Sequence, residues 1–92
     1  MSNVTIRIPT PLRPMANNAD EISLEGNTVK EVLDQLVSQY DGLSSSLYND
    51  EKELRHFVNI FIGETNIKDL QGLTTEVKDG DIVSIIPAVA GG

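Results

Sequence analysis

The sequence predicts an α+β domain, a mixed β-sheet with one main helix packed on one face. Three observations predict it. Segments 4–8 and 21–25 alternate apolar and polar residues with the period of half-buried strands. Residues 28–40 repeat apolar side chains at three- and four-residue spacing behind a helix-start signal. Two further strand patterns, 57–62 and 82–86, come late in the chain and are closed by Gly63 and Pro87. Ninety-two residues make one domain with one core, since a chain of this size buries only about 60–70% of its unfolded surface.

In the first strand Val4, Ile6 and Ile8 alternate with Asn3, Thr5 and Arg7. Pro9, Pro11 and Pro14 end it, because proline has no amide to give to a ladder. Met15 to Asp20 reads as a loop turning the chain back, and Glu21 to Glu25 completes a hairpin whose loop is too long for a two-residue turn. Thr28-Val29-Lys30-Glu31 fits a capping box, in which the threonine accepts from a first-turn amide and the glutamate reaches back, a device worth about 1 kcal/mol. Val29, Val32, Leu33, Leu36, Val37 and Tyr40 form the buried stripe of a helix placed at 28–40, with Leu36 central. Gly42 is expected to stop it. Leu43 to Tyr48 reads as a short helical turn with Leu43 and Leu47 inward, and Asn49 to Glu53 as a charged, mobile loop. Phe57 to Ile62 is a strand, Asn66-Ile67-Lys68 a brief edge strand, and Gly72-Leu73 part of a loop. Lys78-Asp79-Gly80-Asp81 is a turn with Gly80 at positive φ, and Ile82 to Ile86 is the last strand. This order places the first and last strands side by side and parallel in the middle of the sheet, the arrangement of the β-grasp, or ubiquitin-like, roll.

Fourteen acidic side chains stand against seven basic ones, for a net charge of −7. No cluster of Lys and Arg exists to displace phosphate counterions, so no nucleic-acid partner is expected. The absence of cysteine removes disulfides, zinc–thiolate and iron–sulfur sites and thiol nucleophiles together. No basic segment precedes an apolar run at the N-terminus, and no run approaches the roughly 20 apolar residues of a membrane span. The expectation is a soluble cytoplasmic protein with no membrane partner.

The end of the chain, Ala88-Val89-Ala90-Gly91-Gly92, carries no charged side chain. Two glycines at a given pair of positions arise by chance in roughly 0.5% of chains. Glycine lacks a Cβ, so an extended Gly-Gly thread enters channels too narrow for other residues, and the terminal carboxylate is the group it presents there. The plain alternative is a frayed terminus. The boundaries expected are a folded unit at 1–87 and a flexible diglycine tail at 88–92. Strand parity adds a second feature. Asn59 and Ser84 belong outside, because burying polar groups demands partners. Phe57, Phe61, Ile82 and Ile86 share their parity and would form an apolar patch on the face away from the helix, unless the segments 9–20 or 64–77 fold over it.

Catalytic constellations are not found. His56 has no nucleophile at a recognisable spacing, Ser44-Ser45-Ser46 lacks a glycine elbow, and Asp79 and Asp81 flank a turn glycine in a way that suits a solvated turn better than a cation. No catalytic residue, metal ligand or bound cofactor is expected, and the chain reads as a carrier acted on by other enzymes.

The segments Ile8-Pro9-Thr10-Pro11-Leu12-Arg13-Pro14, Arg55-His56-Phe57-Val58-Asn59-Ile60, Asp79-Gly80-Asp81 and Ile85-Ile86-Pro87-Ala88-Val89-Ala90-Gly91-Gly92 resemble those of the prokaryotic ubiquitin-like sulfur carriers. The likeness spans essentially the whole chain. The family's branches include MoaD, ThiS and CysO, and the sequence is most similar to the CysO branch. It departs from that branch in the order Arg55-His56 and in a shorter Asn49–Glu53 loop, and neither touches the tail. The resemblance implies that an E1-like adenylating enzyme activates the Gly92 carboxylate with ATP and that a sulfurtransferase converts the adenylate to a thiocarboxylate. Gly92 would bear the sulfur, while Gly91, Ala90 and Val89 would thread the partner's active site. The CysO branch implies a PLP-dependent cysteine synthase as acceptor and a zinc peptidase that frees the product, hence cysteine biosynthesis. The MoaD branch implies the large subunit of molybdopterin synthase, and the ThiS branch thiazole formation. Two other readings remain open on the sequence: a ubiquitin-like protein modifier joined through Gly92 to lysines, and a binding domain with an incidental tail.

Overall fold

The computed structural model describes residues 2–51, 53–55 and 58–87. Its sheet has five strands, β1 (Ser2–Arg7), β2 (Glu21–Gly26), β3 (Val58–Ile62), β4 (Thr65–Asn66) and β5 (Ile82–Pro87), in the order β2-β1-β5-β3-β4. β1 and β5 run parallel at the centre, in the register Ile6 opposite Val83, and the other pairings are antiparallel. This is the α+β roll expected, with helix α1 (Val29–Gln39) on one face.

The alternation in each strand decides which face α1 covers. Val4, Ile6, Leu24, Val58, Ile60, Val83 and Ile85 are buried, and they meet Val29, Val32, Leu33 and Leu36 of α1 in one core. Gly26 lets β2 pass close to the helix. A Cβ there would lie 2.9 Å from Val32 Cγ2 and 3.1 Å from the Val32 backbone nitrogen, a distance real Cβ atoms do not tolerate. Thr28 caps α1 by accepting from the Glu31 amide at 3.2 Å. The Glu31 carboxylate reaches back to the Asn27 amide at 2.9 Å, one residue earlier than the usual box partner.

Three sequence expectations need correction. The segment after β1 is not a plain loop, because Thr10–Ala16 winds a 3-10 helix with a proline in its first turn. The fixed φ of proline suits a helical first turn as well as it ends a strand, and the buried Ala16 anchors the segment in the core. Gly42 does not stop α1. The Tyr40 amide closes the helix on the Leu36 carbonyl, and Gly42 opens α2 (Gly42–Leu47), whose Leu43 and Leu47 are buried. Finally, Thr65–Asn66 pairs with β3 but Ile67–Asp69 and Gly72–Thr74 are 3-10 turns, which bring Ile67 into the core. In the 49–53 segment, Asn49 Oδ1 accepts from the amides of Glu51 and Glu53, an Asx turn that a charge count does not reveal.

Leu36 is fully buried. Leu36→Ala is expected to lower unfolding free energy by roughly 2–5 kcal/mol, the range for a large aliphatic side chain cut back in a packed core; urea denaturation checks it, and a loss under 1 kcal/mol would show that the core closes without this side chain. Tyr48 supplies a pH test. Its hydroxyl is buried without a hydrogen-bond partner among the described residues. Burial first, and the nearby Asp34 charge second, push its pKa from 10.0 up to about 12. The folded state thus favours the neutral phenol, so its contribution to stability is complete below pH 10 and is lost as pH rises from 10 to 12. Denaturation midpoints across that interval should fall more for the wild-type chain than for Tyr48→Phe; equal falls would contradict the assignment.

Candidate functional site

The face of the sheet opposite α1 is built by the other parity of the same strands. In β5, Val83 and Ile85 point into the core and Ile82, Ser84 and Ile86 point away from it. Ile82 is 42% exposed and Ile86 48% exposed. Ser84 lies opposite Phe61 and Ile86 opposite Asn59 across the β3–β5 pair, so Phe61 sits diagonally between the two isoleucines, within reach of both. Phe61 is half-buried. Phe57, the fourth residue expected in the patch, lies outside the described residues. The structure thus brings Phe61, Ile82 and Ile86 together on one open face. The segments that might have covered them turn the other way, since Ala16 packs into the core from the 9–20 segment and Ile67 and Val77 do so from 64–77.

The residues around this stripe are polar, and one is charged, since Arg7 stands opposite Ser84 on β1. Thr5 stands opposite Ile82 on β1, and Ser84, Asn59 and Asn66 share the face, with Asn66 Nδ2 donating to Asn59 Oδ1 at 3.4 Å. Arg7 pairs in turn with Glu21 on β2 at 3.4 Å, both side chains exposed. Sequence reasoning found the apolar members by parity and missed the polar border, which depends on register between strands far apart in the chain.

The turn before β5 fixes where the strand begins. Gly80 has φ +86, its amide donates to the Asn3 carbonyl, and the Asn3 amide donates to Asp79 Oδ1 at 2.6 Å. Asp81 Oδ2 accepts from the Lys78 amide at 2.8 Å. Both carboxylates therefore brace the turn, as its solvated reading implies. Among the described residues no group of three or more potential metal ligands exists, and no helix is long and apolar enough to cross a membrane. Ser44, Ser45 and Ser46 lie within α2. His56 lies outside the described residues, as do Val89, Ala90, Gly91 and Gly92 of the tail. The last described residue, Pro87, pairs with Val58.

This fold recurs in proteins of known type. A family model described as the ThiS family matches residues 6–92. The sulfur carrier protein CysO of Mycobacterium tuberculosis is 40% identical over 92 residues, covering 98% of this chain and 99% of the relative. A chain in the crystal structure of the Amycolatopsis orientalis BexX/CysO complex superposes with a TM-score of 0.88 at 38% identity, covering 97% of this chain and 99% of that one. The solution structure of small archaeal modifier protein 1 from Methanosarcina acetivorans superposes with a TM-score of 0.87 at 36% identity, covering 100% of this chain and 98% of that one. The β-grasp fold expected from strand order is thus the fold of relatives alike in sequence over nearly their whole length, and the chain belongs to the ThiS family of ubiquitin-like sulfur carriers.

Proposed function

We infer that the chain is a CysO-like sulfur carrier whose Gly92 carboxylate is adenylated, converted to a thiocarboxylate and used as a sulfur donor. The observation that carries this reading is the family match running through residue 92, tail included. The chemistry needs no acid, base or nucleophile from the carrier. A carboxylate resists attack because it is anionic and its oxygen leaves poorly. In an E1-like partner, a Gly92 oxygen attacks the α-phosphorus of ATP and pyrophosphate departs. A sulfur nucleophile then attacks the acyl carbon and AMP departs, leaving sulfur on Gly92. The chain is a co-substrate of these enzymes and is not itself one.

Residues 88–92 act as the thread and residues up to 87 as the grip. Phe61, Ile82 and Ile86, with Phe57 as the expected fourth member, form the face on which a partner seats. The tail leaves from the same strand, so one partner surface engages both. The likeness to CysO favours a PLP-dependent cysteine synthase as acceptor and a zinc peptidase that releases the product. The large subunit of molybdopterin synthase is the alternative acceptor. A second reading, attachment of Gly92 to protein lysines, is favoured by the likeness to small archaeal modifier protein 1; the same adenylate serves both.

Removal of Gly91 and Gly92 is expected to abolish sulfur transfer with the cognate activating enzyme while leaving the urea midpoint unchanged. Retained transfer would end the carrier reading. Ile86→Asp buries a charge in the docked complex and is expected to weaken partner binding by at least about tenfold, about 1.4 kcal/mol, with the monomer still folded. Unchanged affinity by calorimetric titration would remove the face from the site.

A further inference from the structure

We propose that the outer edge of β2 receives an extended segment of a partner protein as an added strand, and that this segment carries lysine or arginine at alternate positions. β1 separates the edge from β5, so a segment seated there leaves Ile82 and Ile86 open. Its docking requires no chemistry at Gly92.

Backbone parity identifies the free groups. On β1, the Asn3 carbonyl accepts from the Gly80 amide, and the Thr5 amide donates to the Asp81 carbonyl. Asn3 and Thr5 therefore turn their peptide groups toward β5, and Val4 and Ile6 turn theirs toward β2. Leu24 stands opposite Val4 and Ile22 opposite Ile6, so these residues close the β1–β2 ladder. The amides and carbonyls of Glu21, Ser23 and Glu25 point the other way, out of the sheet. One of them is covered, since the Glu25 amide donates to Gln35 Oε1 at 3.2 Å. Among the described residues, no hydrogen bond takes up the outward amide or carbonyl of Ser23.

Edge strands are commonly guarded by shortness, by proline or by a bulge. The opposite edge is guarded by shortness, because β4 has two residues. β2 has six, contains no proline and keeps one-to-one register with β1 from Glu21 to Gly26. What distinguishes it is charge. Glu21, Ser23 and Glu25 are exposed and share one face of the sheet. A second copy paired antiparallel about Ser23 would set Glu21 against the other copy's Glu25 twice, and like charges directly opposed destabilise a pair. The same two carboxylates complement lysine or arginine on the incoming strand. Glu21 already has Arg7 at 3.4 Å, so Glu25, which stands opposite the uncharged Asn3, is the principal anchor. The intervening residues of the incoming strand lie beside Ile22, which packs partly buried against the core, and apolar side chains suit them. The segment that fits is basic, apolar, small polar, apolar, basic.

The test is backbone amide NMR of the full chain, titrated with a cyclic hairpin peptide whose open strand reads Lys-Val-Thr-Val-Lys. Cyclisation removes most of the ordering cost that a free peptide incurs. Saturable shifts are expected at Glu21, Ser23 and Glu25, with a Kd of about 1 mM or tighter. N-methylation of the threonine removes the donor opposite the Ser23 carbonyl and should abolish them. Glu25→Lys should weaken the lysine hairpin and strengthen a Glu-Val-Thr-Val-Glu hairpin, each by about two- to fivefold. No saturation at that concentration, shifts that survive N-methylation, equal binding of the two hairpins, or a Glu25→Lys variant that changes neither affinity would overturn the proposal. Shifts centred on Phe61, Ile82 and Ile86 would assign the peptide to the outer face. Dilution-dependent shifts of the β2 amides without peptide would give the edge to a second copy. Either result also overturns it. No nucleotide or sulfur is present in these samples, so failure here leaves the carrier reading standing, and failure of sulfur transfer leaves these titrations unaffected.

Discussion

The parallel pairing of β1 with β5 is the constraint on which the rest of the molecule depends. It joins the first hairpin to the last strand across more than seventy residues of chain, with Ile6 opposite Val83 and the Thr5 amide donating to the Asp81 carbonyl at 3.0 Å. Non-local pairing of this kind closes a long loop, and that entropy must be recovered by burial. Recovery comes from one face only. Ile6, Val83 and Ile85 reach the core under α1, and the pleat obliges Ile82, Ser84 and Ile86 to face the other way.

That geometry divides labour between the two faces. The helix side satisfies the fold. The outer side presents two large aliphatic side chains, exposed by more than two-fifths, within a polar border that includes Arg7 opposite Ser84. Association through such a face would draw its free energy chiefly from apolar burial. The net charge of −7 favours encounter with basic surfaces more than it adds to final affinity.

Much of this was legible in the sequence. Thr28 and Glu31 announced the start of α1, and its apolar spacing named six residues, of which four are buried in the core and Val37 and Tyr40 are partly buried against it. Asn59 and Ser84 set the parity of two strands, and with it the outer face, because a lone polar residue in a strand is costly inside and harmless outside. What escaped had no periodic signal. Three prolines within six residues read as a break, yet Thr10–Ala16 is helical, since a proline φ fits both roles and Ala16 decides by packing. Gly42 followed the last apolar residue of the stripe and so read as a stop, whereas the helix closes through the Tyr40 amide and the glycine begins the next turn. The border of Thr5, Asn59 and Asn66 depends on strand register, which local pattern does not encode. Arg55 read only as a neighbour of His56, and its tie to Ser45 emerges from the fold of α2.

The central claim is that the last carbonyl of the chain becomes a sulfur-bearing handle made by partner enzymes. Tandem mass spectrometry of the C-terminal peptide tests it most directly, after incubation with ATP, a sulfur donor and the cognate activating enzyme. The expected product has one oxygen replaced by sulfur, located on Gly92 and absent when ATP is withheld. An unmodified terminus, sulfur located elsewhere, or Gly92 recovered only in linkage to lysine would contradict it.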